Sequence, residues 1–310
     1  MSVSDAIADG AIRSFPDFAT LRRAITTDAT TSVVIPTLNE AANLPHVLER
    51  LPAFVDEVVI VDGHSIDDTI AVARGIRPDV RVVLQDARGK GNALACGFAA
   101  AASDIIVMLD ADGSNDPAEI PQFVAALLEG NDFAKGSRFA LGGHSNDITP
   151  LRREGNHALT LLVNILFGTR YSDLCYGYNA FWRLCLPHMQ VTCAGFEVET
   201  LINVRVARAG LRVVEVPSVE HKRLHGEGNL SVVRDGLRIL RTILTERLRG
   251  DVPAANPDAW RPTFRELSAA LDGEDRPAAQ TLAAAGARQS TPQFPGTERR
   301  LRDPAADDEQ

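Results

Sequence analysis

Between residues 32 and 130 the chain alternates short β-branched runs with helical patterns, and this alternation restricts it to one class of fold. The runs are Ser32–Pro36, Glu57–Asp62, Val80–Leu84 and Asp104–Asp110, each bounded by polar or turn-forming residues. Helical patterns lie between them over Glu40–Leu51, Ser65–Gly75 and Gly91–Ala102, and another follows near Pro117–Glu129. That last helix opens on proline, whose missing N–H costs nothing in a first turn. Strand, helix, strand in regular succession predicts an α/β fold, a mostly parallel sheet flanked by helices on both faces. Ile105–Leu109 is apolar without interruption, as a central strand buried on both sides requires.

Flanking segments differ. Residues 1–30 show no clean period and read as an N-terminal leader, and residues 31–230 read as the main domain. The second half of that domain has helical stretches near Asn156–Phe167 and Glu197–Ala209 and a strand over Leu211–Val216. Residues 231–250 form a basic amphipathic helix, patterned from about Leu230 to Leu248. Residues 251–310 are rich in Pro, Ala and charge, too poor in large apolar groups to offset ordering entropy, and are expected to be a disordered tail.

The run Ile105–Leu109 leads directly into Asp110-Ala111-Asp112. Ligands of open parallel sheets bind beyond the carboxyl ends of the strands. Two carboxylates at i and i+2 there can address one Mg2+ or Mn2+, with a diphosphate completing the oxygen shell. A solvated turn, with Asp112-Gly113 making the bend, suits the same residues. So does the nucleophile loop of haloacid-dehalogenase phosphatases, in which Asp110 would attack phosphorus. That motif usually opens the first strand of its domain, whereas three strand patterns precede this one, and no later acidic pair for its metal is evident.

Other segments accompany the pair in order. Upstream stand Val33-Val-Ile-Pro36-Thr37-Leu-Asn39-Glu40, then Val61-Asp62-Gly-His-Ser65-Ile-Asp67, then Arg88-Gly-Lys90-Gly91-Asn92. Downstream come Lys135-Gly-Ser-Arg138, Arg152-Arg153, Asp173-Leu-Cys-Tyr-Gly177, Gly195-Phe-Glu197-Val-Glu199 and Lys222-Arg223-Leu-His-Gly226. Together they resemble family-2 glycosyltransferases of the GT-A fold, the Rossmann-like fold of nucleotide-diphospho-sugar transferases. The likeness is strongest to the polyprenol-phosphate mannosyl- and glucosyltransferases and covers roughly residues 32–235.

The resemblance implies an inverting, single-displacement transfer of a hexose from a UDP- or GDP-sugar to a polyprenol phosphate. A soluble hydroxyl acceptor, a metabolite or a polysaccharide, is the alternative on the same fold, and a non-catalytic nucleotide-sugar binder is a third reading. By the match, Pro36, Asn39, Glu40, Asp62, Ser65, Lys90, Asp110 and Ala111 bind the donor, and Asp110 with Asp112 hold the metal, Mg2+ or Mn2+. Asp112, Lys90, Arg138 and Glu199 carry the catalysis, and Arg138, Arg152, Arg153 and Arg223 bind the acceptor. Backbone N–H groups at the Gly89–Gly91 turn would join Lys90 in facing an anion. A hydroxyl acceptor would need a base, for which Glu197, Glu199 and Asp173 are available, whereas a phosphate needs only cations. The chain departs from the pattern at Ser114, Asn156, Gly228 and Asn229, which bear on the metal and on the acceptor phosphate.

A net charge of −9 argues against a nucleic-acid partner, which needs a broadly basic face. Four cysteines match no zinc spacing and read as thiols of a reducing cytoplasm, and His221 and His225 read as loop residues near the acceptor phosphate. No signal peptide or membrane span is evident, so the expected location is cytoplasmic, extending to the inner membrane face. That last point turns on Leu230, Val233, Leu237, Leu240, Leu244 and Leu248, which share one side of the terminal helix with arginines around them. Such a stripe ordinarily packs on the domain's own core, and the membrane surface is its other partner.

Overall fold

The computed structural model describes residues 29–226 and 231–250. The expected leader up to residue 28, the tail from residue 251, and Gly228, Asn229 and Leu230 lie outside the described residues.

The elements follow in order: β1 (Thr31–Thr37), α1 (Leu44–Leu48), β2 (Glu57–Asp62), α2 (Thr69–Ile76), β3 (Arg81–Leu84), α3 (Lys90–Ala100), β4 (Ile105–Met108) and α4 (Ile120–Leu128). Then come β5 (Phe133–Ser137), β6 (His144–Ser145), α5 (Pro150–Phe167), β7 (Asn179–Trp182), α6 (Leu186–Met189), α7 (Val198–Arg208), β8 (Val213–Pro217), β9 (Val219–Glu220) and α8 (Val232–Leu248). Seven strands form one sheet in the order β3-β2-β1-β4-β7-β5-β8, and β6 pairs with β9 beside it. In the large sheet β7 alone runs against its neighbours, antiparallel to both β4 and β5.

Side chains of β1 alternate between the faces, as a two-residue period dictates. Val33 and Ile35 pack with α1 and α4 on one side, and Val34 packs with α3 and α7 on the other. A third cluster joins α5, α7 and α8 through Val163, Val204, Ile239 and Ile243. Each such side chain contributes about 1.5–3 kcal/mol of burial. The expected mostly parallel sheet with helices on both faces is therefore present.

Three local expectations change. The first helix shrinks to Leu44–Leu48, because the Glu40 N–H is taken by Thr69 Oγ1 at 2.9 Å and the chain enters the helix only at Leu44-Pro45. The helix expected from Asn156 starts at Pro150, where Thr149 caps it by accepting the Arg152 N–H at 3.3 Å. The strand β5 carries a lysine and a glycine that hide its β character, and Lys135 is fully buried against Glu215 of β8 at 3.3 Å.

The terminal helix corrects the packing expectation. Its buried residues are Asp235, Ile239, Ile243 and Glu246, while Val233, Leu237, Leu244 and Leu248 of the leucine stripe are exposed. The stripe does not pack on the domain's own core. No helix among the described residues is long and apolar enough to cross a membrane.

Helix α3 packs closely on the sheet near the site. A Cβ on Gly97 would lie 2.4 Å from Val34 Cγ1 and 2.8 Å from Val61 Cγ2. Gly97→Val is expected to lower unfolding free energy by about 2 kcal/mol or more despite valine's better helix propensity, because overpacking outweighs propensity. Urea denaturation measures it, and an unchanged midpoint would show that α3 can ride up off the sheet.

Candidate active site

Parallel strands β1, β2, β3 and β4 end on one edge, and their carboxyl-end loops supply every residue expected to bind the donor. The first two loops interlock. The Asn39 N–H donates to Ser65 Oγ and the Ile66 N–H to Asn39 Oδ1, both at 2.9 Å. Asn39 and His64 adopt left-handed φ of 57° and 63°, conformations that asparagine and histidine tolerate better than most residues. Asp62, expected at the donor, is buried and accepts the Ser65 N–H at 2.9 Å, so it also builds this turn. Pro36 is half-buried within β1, and Ala111 is buried between the two aspartates.

At the centre lies an ion cluster. Lys90 Nζ is 2.7 Å from Asp110 Oδ1 and 2.8 Å from Glu199 Oε1. Lys90 begins α3, Asp110 follows β4, and Glu199 stands in the first turn of α7, where the helix dipole favours a carboxylate. Burial alone would lower the Lys90 ammonium, but the two carboxylates overcome it and hold it above its ordinary value. Burial pushes the Glu199 carboxyl up, and the Lys90 charge offsets only part of that. Gly177 makes room for the cluster. A Cβ there would stand 3.0 Å from Lys90 Nζ, 3.2 Å from Asp110 Oδ2 and 3.3 Å from Glu199 Oε1. The reversed strand β7 delivers this glycine, since Asn179 pairs with Met108 and the chain before it runs past Asp110.

The turn around Gly89–Gly91 differs from expectation. Its backbone packs against residues 193–194, and the Gly91 N–H donates to Ala194 O at 2.9 Å. That amide is therefore not free to meet an anion. Arg88, by contrast, is exposed, and no ion pair among the described residues engages it.

Asp112 is held from the other side. Its Oδ1 accepts the Ser114 N–H at 3.0 Å and its Oδ2 accepts from Arg223 at 3.2 Å. Arg223 also donates to Glu40, so the cation expected to meet the acceptor instead bridges Glu40 and Asp112. The segment 221–226 is latched over the Asp112 turn by His221 N–H to Ser114 O at 2.8 Å and Leu224 N–H to Asp112 O at 3.2 Å. His221 and His225 sit in this segment as expected, and the His225 N–H donates to Asn43 Oδ1 at 2.9 Å.

A divalent cation fits this donor set. Asp110, Asp112, Glu199 and Glu40 carry four negative charges against two positive ones on Lys90 and Arg223, leaving two uncompensated. Among the described residues no group of three His, Cys, Asp or Glu could hold a metal by itself. Two carboxylates with phosphate oxygens and water are the usual arrangement for Mg2+ at a nucleotide.

Of the four arginines expected at the acceptor, Arg138 is buried and fully paired within the fold. It is 3% exposed, and its guanidinium is consumed by Asp173 at 2.7 and 3.0 Å and by Glu220 at 3.1 and 3.2 Å. It also stacks 5.0 Å over Tyr176. Burial opposes the charge, yet the paired carboxylates raise the guanidinium above its ordinary value and keep Asp173 below the usual range. Arg138 therefore enters any acceptor role already paired on both sides, and Asp173 is a poor base. Arg152 pairs with Asp147 at 3.2 Å. Arg153 is exposed, stacks 5.4 Å over Phe139, and alone of the four forms no ion pair among the described residues.

The sequence model described as glycosyl transferase family 2 matches residues 32–204, more than half of the chain. The chain belongs to glycosyl transferase family 2. An uncharacterised glycosyltransferase of Mycobacterium tuberculosis is 41% identical, over 66% of this chain and 90% of its own length. The undecaprenyl-phosphate mannosyltransferase of Micrococcus luteus is 33% identical, over 64% of this chain and 86% of its own. Among solved structures, glucosyl-3-phosphoglycerate synthase from Mycobacterium tuberculosis, in complex with Mn2+, UDP and glucosyl-3-phosphoglycerate, superposes with a TM-score of 0.59 at 25% identity, covering 74% of this chain and 84% of that one. The fold is thus GT-A, and the chain is an enzyme of the glycosyltransferase class.

Two residues of this family-2 glycosyltransferase carry the site without having been singled out in the sequence. Asn115 Oδ1 accepts the Asp110 N–H at 3.2 Å, and its Nδ2 donates to Tyr176 OH at 3.0 Å. An Asx residue just past an Asp-Gly turn is the available signal for such a bond. Glu220, the second partner of Arg138, lies 82 residues from it and leaves no local signal.

Two outcomes follow from these pairings. In Lys90→Met the Glu199 carboxyl loses the charge that lowers it and rises further. A raised carboxyl contributes stability in full below its unfolded value near ~4.3 and loses it as pH climbs through the folded value. Urea midpoints of the variant should therefore fall more steeply than wild type between about pH 5 and 8. A pH-independent offset would mean that Lys90 does not govern Glu199. Arg138→Met strands two buried carboxylates and should cost about 3–5 kcal/mol of stability. An arginine that served only an acceptor would leave the unfolding curve unchanged.

Proposed function

We propose that this family-2 glycosyltransferase moves a hexose from a UDP- or GDP-sugar, with Mg2+ or Mn2+ on Asp110 and Asp112, to an acceptor that bears a phosphate, a polyprenol phosphate first. The observation that carries the reading is the state of two of the three candidate bases. Asp173 is locked to Arg138, and Glu199 is locked to Lys90. A phosphate acceptor is already an anion and needs no proton removed, so locked carboxylates do not hinder it. The named activity of the Micrococcus luteus relative supports the same acceptor class.

In this reading the metal, when bound, supplies charge neutralisation for the departing nucleoside diphosphate. Lys90 is a fixed cation beside Asp110, held in place by Glu199 before any donor arrives, and such preorganisation costs no rearrangement during the reaction. Gly177 keeps the cluster closed against a side chain that would push Lys90 away. Arg88 and Arg153 are exposed cations available to phosphate oxygens. Arg223 must exchange partners if Asp112 is to turn fully to a cation, which couples segment 221–226 to donor binding.

A second reading rests on Glu197. Its Oε2 is buried without a hydrogen-bond partner, while Oε1 accepts the Gly195 N–H at 3.2 Å. An unpartnered carboxylate oxygen suits a base for a hydroxyl acceptor. The structural neighbour, whose complex holds glucosyl-3-phosphoglycerate, supports a small phosphate-bearing hydroxyl acceptor of that kind.

Released nucleoside diphosphate decides between them, with UDP-glucose, UDP-GlcNAc and GDP-mannose offered beside undecaprenyl phosphate or 3-phosphoglycerate. We expect one donor to turn over with the lipid phosphate only, to need Mg2+ or Mn2+, and to lose at least ~100-fold in Asp112→Asn. Turnover with 3-phosphoglycerate only, abolished in Glu197→Gln, would establish the second reading. No binding of any donor would remove the transferase assignment of the site.

A further inference from the structure

Among the described residues one surface has a definite chemical character and no occupant. Helix α8 is fixed by Asp235, Ile239, Ile243 and Glu246, which face α5 and α7. Both acids are spent in pairs, Asp235 within α8 itself, where Arg238 also reaches it at 3.3 Å, and Glu246 across to α7. Asp235 accepts the Ser231 N–H at 2.8 Å, and Glu246 accepts from Arg205 at 2.7 Å and Arg208 at 3.0 Å. At 3.6 residues per turn, the stripe of Val233, Leu237, Leu244 and Leu248 is centred about 155° around the helix from the buried face. Val233 is 72%, Leu237 63% and Leu248 86% exposed. Arg234, Arg238 and Arg241 follow one flank of the stripe by the same spacing, and Arg247 follows the other. No acidic residue of α8 is exposed. The neighbouring α5 also exposes apolar side chains, Leu161 and Ile165.

We infer that the outer face of α8 docks this protein on the surface of an anionic phospholipid bilayer. Charge decides the occupant. The whole chain carries −9, yet this face carries cations only, so its complement is negative. A second copy docking through the same face would set arginines against arginines. A bilayer of anionic lipids offers phosphates to the flanking guanidinia and hydrocarbon to the stripe between them, the division that an in-plane amphipathic helix presents. The face also lies close to the site: Arg238 is 3.2 Å from the Cβ position of Gly195, and the adjoining Ala194 carbonyl backs the turn that starts Lys90. Docking does not rest on the polyprenol-phosphate reading, since a bilayer surface is bound whichever acceptor the site takes.

The test is co-sedimentation of the full chain with vesicles of phosphatidylcholine alone or mixed with phosphatidylglycerol, without donor or acceptor. Two variants accompany it, Leu237→Glu with Leu244→Glu, and Arg234→Glu with Arg241→Glu. Wild type should sediment with the anionic vesicles, weaken as salt rises, and bind the neutral ones poorly. Each variant should lose roughly tenfold or more in partitioning while its circular dichroism and donor hydrolysis stay as in wild type. Binding that the variants leave intact would overturn the proposal, as would failure of wild type to bind anionic vesicles. A wild-type dimer in size exclusion that Leu237→Glu with Leu244→Glu splits, with no vesicle binding, would assign the face to a second copy. Failure of vesicle binding beside intact lipid-phosphate transfer would sink the docking face and leave the acceptor reading standing.

Discussion

Lys90 holds three distant parts of the chain at one point. Its ammonium joins the start of α3, the end of β4 and the first turn of α7, with both carboxylates within 2.8 Å. Burial works against the charge on both Lys90 and Glu199, and the charge of each offsets that for the other. That mutual dependence also fixes geometry. A glycine at 177 leaves the cluster undisturbed, because a Cβ would press on all three polar groups at 3.0 to 3.3 Å. A glycine can be delivered there only because β7 runs backwards between β4 and β5. Reversal of one strand in an otherwise parallel sheet is thus what lets residues 173–177 approach the ends of the parallel strands.

The same geometry explains why Asp110 and Asp112 differ although they are two residues apart. Asp110 faces the Lys90 cluster, which is assembled from helix starts and a strand end. Asp112 faces Arg223 and Glu40, groups on two loops. One carboxylate is therefore anchored to rigid elements and the other to a latch whose pairs can open. The backbone bonds from His221 and Leu224 give the latch its register, and the arginine gives it a reason to respond to charge at Asp112.

The sheet, its order of strands and helices, and the convergence of Asp62, Lys90, Asp110 and Asp112 loops on one edge were legible because periodicity and strand-end position are local properties of a sequence. Glu199 beside Lys90 was legible only through the likeness to a family, since 109 positions separate them. The arginines were not legible at all. Arg138 and Arg153 look alike as letters, yet one is saturated by Asp173 and Glu220, 35 and 82 residues away, and the other is open to solvent. Whether a guanidinium serves the fold or a ligand is set by carboxylates that only the tertiary structure brings near it.

Helix α8 shows the same limit in hydrophobic patterning. Counting apolar residues favours burying the leucine stripe, which has two more large side chains than the Ile239–Ile243 face, a gain of about 3–6 kcal/mol. Turning the helix to bury it would take Glu246 from Arg205, whose side chain is only 7% exposed, and leave a buried guanidinium uncompensated. Stranding one partner of a buried pair costs about 3–5 kcal/mol. The two quantities are of similar size, so apolar count does not choose the face. The buried ion pairs tip the rotation, and a stripe that the core could have accommodated is turned outward.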